Sequence, residues 1–245
     1  MPSSKKLGKL APVRSLRSLP LSNYLNPSTL AFPAVKAWER PLDWKMFQND
    51  KLGCCTIAAA AHMQMAWNAV ANAGSPTVIT DEQIIKEYSV VSGYDPATGA
   101  NDNGAVELDV LNRWSTQGLF GLRIDGFATL DVQNIDHIKA AIYLFGGVYI
   151  GFQVPEFIME QISHTWGTAL GNATIVGGHA VCLTGYGRAG ASLVSWGDLY
   201  HMTWPFWQQY VDEAYAVVSK NWIKASGVSP SGLDLNGLLA DLRAA

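Results

Sequence analysis

Two adjacent cysteines, Cys54 and Cys55, interrupt the stretch FQNDKLGCCTIAAAAHM where a polar loop gives way to an alanine-rich run. A thiol in the first turn of a helix is a favoured nucleophile, because free backbone N–H groups and the positive end of the helix dipole stabilise its thiolate. Gly53, just before the pair, permits close backbone approach by a substrate. A thiol nucleophile needs a base, and the chain offers five histidines, at positions 62, 137, 164, 179 and 201. His62 and His137 fall inside helical patterns, where a packed or solvated role is the expectation. His164 and His201 lie in tryptophan-containing loops and are ambiguous. His179 opens the strand-like run HAVCLTGYG after a glycine pair, so its ring can project from a strand end into a cleft. Two vicinal cysteines without a second pair make a poor tetrahedral zinc site, so no metal and no cofactor is expected. Cys182 lies three residues along the strand from His179, hence on its other face, and is expected to be buried and inert. Asp95, Asp102 and Asn103 in GYDPATGANDNG have no calcium-loop spacing and read as turn chemistry.

The elements that must position these groups follow from patterning. Residues 55–72 are apolar on nearly every side and predict a buried helix. TDEQ at 80–83 is a capping box that opens a second helix, and AVELDVLNRWSTQ predicts a third, closed by Gly118. Asn134 or Asp136 can cap a fourth through HIKAAIYLF. RIDGFATL, GVYIGFQV, HAVCLTGYG, SLVSW and YAVVS read as strands, and LNGLLADLRAA as a terminal helix. Helices first and strands later predict an α+β fold with two lobes. The expected organisation is an extended arm over 1–40, a helical lobe over about 41–122, a β lobe over about 123–222 and a tail over 223–245.

The 245 residues carry a net charge of −3, are 49% hydrophobic and 15% charged, and so suit a compact chain and argue against a general nucleic-acid binder. The apolar run 138–154 is broken by Gly146, Gly147 and Gly151, so no membrane span is expected. Three cysteines form no disulfide framework, and no apolar h-region follows the basic N-terminal residues. A soluble protein, cytoplasmic or virion-associated, is the expectation. The arm holds Lys5, Lys6, Lys9, Arg14 and Arg17 and no acid over residues 1–18; a partner protein in a larger assembly would suit it.

GCCTIAA, then GGHAVCLTGYG, then SLVSWGDLY resemble the papain-like cysteine peptidases, with PLDW, ITDEQIIKEY and GGVYIGFQV in matching order over residues 41–219. The resemblance implies a helical left lobe, an antiparallel β-barrel-like right lobe and an active-site cleft between them that takes a peptide or amide substrate. It implies Cys55 as nucleophile, since the family nucleophile stands two residues after a glycine, with Cys54 as the alternative. His179 becomes the base and Trp196 the shielding indole. The family's oxyanion glutamine stands six residues before the nucleophile, which selects Asn49 for Cys55 and Gln48 for Cys54. The family asparagine that orients the histidine falls on Val194, which cannot accept a hydrogen bond; Ser195 or Asp198 could substitute. Three functions are in view: a leaderless thiol peptidase or amidase, a papain-like scaffold retained for binding or assembly, for example in a phage virion, and a small-molecule amidase or transferase with the same dyad.

Overall fold

The computed structural model describes residues 5–13, 15, 18–40, 42–71, 78–169, 171, 173–219, 222–223 and 232–244. Pro2, Arg14, Arg17, Pro41, Asn72 and Asn221, which the sequence patterns above include, lie outside them.

Helix α1 (Cys55–Ala71) is buried on all sides through its first ten residues, as its unbroken apolar composition dictates. Helix α2 (Asp81–Ser92) opens with the reciprocal capping box of Thr80 and Gln83 and stops at Gly93 in the left-handed region. Helix α3 (Glu107–Thr116) ends where the N–H groups of Gln117 and Gly118 both turn back to the Arg113 carbonyl. In α4 (Ile135–Phe145) it is Asn134 that caps, accepting from the His137 N–H.

After a two-residue strand β1 (Lys36–Ala37), the strands are β2 (Gly126–Thr129), β3 (Val148–Pro155), β4 (Thr165–Trp166), β5 (Ile175–Tyr186), β6 (Gly190–Ser195), β7 (Asp198–Thr203) and β8 (Val211–Val218). They form one eight-stranded sheet in the order β2-β8-β3-β5-β6-β7-β4, with β1 on β5; only β4–β7 is parallel. Short helices α5 (Phe157–Glu160) and α6 (Trp204–Tyr210), and the terminal helix α7 (Leu235–Ala244), complete the fold. The aromatic run YHMTWPFWQQY, which carries no clear period, divides into the end of β7 and α6, and Phe206 and Trp207 enter the core.

The architecture is therefore the expected α+β fold: helices α1 to α3 first, then a mostly antiparallel sheet. Helix α1 packs along β5, the strand that carries His179. Among the described residues no helix is long and apolar enough to cross a membrane.

The N-terminal segment is held against the rest of its own chain. Leu21, Tyr24, Leu25 and Trp38 are buried in the core, and residues 6–10 are tied by backbone bonds to both halves of the fold. Lys9 N–H donates to the Gly178 carbonyl (3.1 Å), Leu10 N–H to the Ala105 carbonyl (3.0 Å), and Ala105 N–H to the Gly8 carbonyl (2.8 Å). Few apolar residues and many basic ones hide this in the sequence, because the partners are backbone groups and distant carboxylates.

Candidate active site

Cys55 is the first residue of α1 and is fully buried. Backbone hydrogen bonds from Ala180, the residue after His179, and from Gly8 of the arm reach its sulfur, and both favour the thiolate. Complete burial outweighs them and pushes the thiol up to about 12. Cys54 turns the other way: its Sγ donates to the Phe47 carbonyl (3.3 Å), and burial raises its pKa further. Cys182 is buried on β5, where burial pushes its thiol up to about 12.

His179 pairs with Phe152 across β3–β5 and is 1% exposed. Its ring stacks on Trp196 at 4.3 Å and 11° between planes. Its Nε2 meets Ser195 Oγ at 2.8 Å, while Nδ1 has no hydrogen-bond partner in the described structure. Burial lowers its pKa to about 3, helped by the nearby His62 and the positive charge of Lys5.

Ser195 reaches the ring because of the β6–β7 turn. Ser195 pairs with Asp198 across a two-residue loop whose central residues, Trp196 (φ 46°) and Gly197 (φ 77°), both have positive φ, the signature of a type I′ hairpin. Val194 is buried opposite Cys182, away from the ring. Asp198 is committed elsewhere, its carboxylate accepting from the Leu199 N–H (2.7 Å) and lying 3.6 Å from His164 Nδ1.

The loop before α1 carries the two amide candidates. Phe47 (φ 54°) and Gln48 (φ 60°) both sit in the left-handed region and reverse the chain. Gln48 spends its amide on Asp81 and on Lys51 Nζ. Asn49 is 2% exposed and its Nδ2 donates to the Lys6 carbonyl (3.2 Å) and the Leu52 carbonyl (3.3 Å). The Asn49 amide thus meets a peptide carbonyl of the N-terminal segment, and the Gln48 amide does not. His62 supports this loop from α1: its Nε2 lies 2.8 Å from the Lys45 carbonyl, and its ring packs against Trp44 and Phe47.

Several groups here escape sequence reading. Asp102 accepts from Gly53 N–H (2.9 Å) and Tyr88 OH (2.7 Å) and pairs with Lys6 of the arm. Burial pushes its pKa up, but those three bonds outweigh burial and hold it low. Lys5 lies over the Trp196 ring at 4.8 Å. Lys9, with a side chain 1% exposed, inserts into a pocket of Glu107, Asp212 and Glu213. The one legible signal was the placement of Glu107, Asp212 and Glu213 in otherwise buried helix and strand patterns.

A thiol at the start of a buried helix and an imidazole on the central strand packed against it, in an α+β core with helices first and a mostly antiparallel sheet after, make up the papain-like fold of cysteine proteases. Among solved structures the chain is similar to xylellain, a cysteine protease from Xylella fastidiosa, at 16% identity and a TM-score of 0.70 over 89% of this chain and 97% of that one. It is also similar to a cysteine protease of Carica candamarcensis crystallised with E-64 (12% identity, TM-score 0.54, 77% and 99% covered). Digestive procathepsin L2 of Tenebrio molitor is a further neighbour (11%, 0.54, 77% and 69%). At these identities the likeness is one of fold. No protein-family model matches the chain, and no curated protein matches it.

Proposed function

We propose that the chain is a thiol hydrolase of peptide or amide bonds, with Cys55 as nucleophile and His179 as base, held closed by its own N-terminal strand. The observation that carries this reading is the course of residues 5–10: a peptide backbone lies over Cys55, with Gly8 at the sulfur and the Asn49 amide on a peptide carbonyl.

With Nε2–H donating to Ser195 Oγ, Nδ1 carries the lone pair that takes the Cys55 proton. The sulfur then attacks the carbonyl carbon and a C–S bond forms. The carbonyl oxygen becomes an oxyanion, held by the Asn49 amide and the Cys55 N–H. As the C–N bond breaks, His179 returns the proton to the leaving amine. Water, deprotonated by His179, cleaves the resulting thioester and restores the thiol. In the closed state burial keeps both thiol and imidazole neutral. Release of the arm lets water in and removes Lys5 from the imidazole, and both changes favour the thiolate–imidazolium pair.

A second reading, a papain-like scaffold without turnover, is favoured by Val194 in the place of an orienting asparagine. One experiment decides between them. A Cβ at Gly8 would lie 1.9 Å from the Gly53 carbonyl oxygen, so Gly8→Val evicts the arm. Iodoacetamide is applied between pH 5 and 8 and the adducts are mapped by mass spectrometry. Expected is slow labelling of the native chain, labelling of Cys55 at least tenfold faster in Gly8→Val, and loss of that gain when His179→Ala is added. Labelling of Cys55 no faster than Cys54 in the opened chain sinks the hydrolase reading.

A further inference from the structure

The deepest contact of the arm is the Lys9 side chain. Its Nζ lies 2.8 Å from Asp212 Oδ1 and 2.9 Å from Glu213 Oε1. Glu107 stands behind them, 0% exposed, and neither of its carboxylate oxygens has a hydrogen-bond partner among the described residues. Such a group is costly to bury unless a cation comes to meet it. Lys9 is that cation here: burial pulls its ammonium pKa down, but the three carboxylates outweigh burial and raise it.

The pocket is shaped as well as charged. A Cβ at Gly151 would fall 2.0 Å from Lys9 Cε and 2.7 Å from Glu107 Oε1, so the absence of a side chain there makes the channel that the lysine stem follows. Backbone bonds fix the residue on both sides, through Gly178 and Ala105. Asp212 and Glu213 also line a cavity of about 370 Å³ bounded by Pro12 and Val13. Among the described residues no group of three His, Cys, Asp or Glu side chains is arranged to hold a metal ion. An organic cation on an aliphatic stem is what fits.

We propose that Glu107, Asp212 and Glu213 form the specificity pocket of this cleft, and that it selects peptides carrying lysine or arginine at the position Lys9 occupies in the closed chain. Lys9 is then a built-in occupant of the substrate's own side-chain site. The proposal rests on the cleft being a peptide-binding cleft, as above, but not on turnover.

Binding and cleavage are therefore measured separately, on the full chain. The Gly8→Val protein is titrated with a fluorescent acetylated peptide of sequence KKLGKLAPV, residues 5–13, and with the same peptide carrying norleucine or arginine in place of Lys9. Lysine and arginine peptides are expected to bind at least tenfold tighter than the norleucine peptide. Glu213→Gln is expected to reduce that ratio to threefold or less, and Gly151→Ala to weaken the basic peptides selectively. Equal binding of the lysine and norleucine peptides overturns the proposal. A second measurement needs no eviction by Gly8→Val: in the otherwise native chain, Lys9→Met is expected to speed Cys55 alkylation at least tenfold, and Lys9→Arg to change it by less than threefold. Unchanged labelling in Lys9→Met also overturns it. Selective binding of basic peptides with no cleavage leaves the pocket standing and sinks only the hydrolase reading.

Discussion

At the scale of single residues, the imidazole of His179 is held by a hydroxyl where a carboxamide stands in the papain-like peptidases. One neutral hydrogen bond contributes about 1 kcal/mol net. Ser195→Ala in the opened chain is accordingly expected to lower kcat about five- to tenfold, with the fold intact by circular dichroism. A fall of a thousandfold would mean that Ser195 does more than orient. His62 carries the clearest pH prediction. Burial lowers its pKa to about 4 from an ordinary 6.5, so between those values the unfolded chain binds a proton that the folded chain refuses. Its contribution is complete above pH 6.5 and is lost as pH falls towards 4, by up to about 3 kcal/mol. His179 acts in the same direction. Glu107 and Glu213, whose pKa values burial raises, act in the opposite one. Comparison of native protein with His62→Gln by urea unfolding across pH 4 to 7 isolates the histidine: the variant is expected to lose less stability on acidification. The positions of Cys55 at a helix start and His179 on a strand were legible, because both are local features. The spacing already put Asn49 ahead of Gln48; what it did not contain is the physical reason Gln48 is unavailable, the bond of its amide to Asp81.

At the scale of elements, the cleft is organised by turns rather than by helices or strands. The tip of the β6–β7 hairpin abuts the loop before α1, where a Cβ on Gly197 would come 3.1 Å from Met46 N and 3.1 Å from the Trp44 carbonyl. On the other side Asp102, from the turn between α2 and α3, ties Gly53, Tyr88 and Lys6 together. Asp102→Ala leaves the Gly53 N–H unpaired and frees Lys6. A cost of about 2 kcal/mol is expected, seen as a fall in Tm of about 4–8 °C for a domain of this size. Faster Cys55 alkylation should accompany it; a Tm change without faster labelling would separate the fold from the arm. Helix α1 was readable from its all-round apolar composition, α2 and α4 from their caps, and the central strands from short apolar runs bounded by Gly, Pro or polar residues. The Asp102 turn was assigned only to local turn chemistry, because its partners lie 14 to 96 residues away.

At the scale of the molecule, the unexpected feature is that the N-terminal segment bonds back to its own chain on both sides. Two lysines of the basic cluster, Lys6 and Lys9, answer acids of the same chain: Lys9 and Asp212 are 203 positions apart. No local pattern encodes such a pairing. Its consequence is kinetic as well as structural. A strand tethered beside its site acts at an effective concentration of order millimolar, so a free peptide of equal intrinsic affinity competes poorly at micromolar levels. A single backbone cut between the arm and α1 would turn that tethered strand into a dilute, diffusing peptide. Occupancy would then collapse without any change in a contact, and the chain would pass from shut to open once, irreversibly, as a timer does.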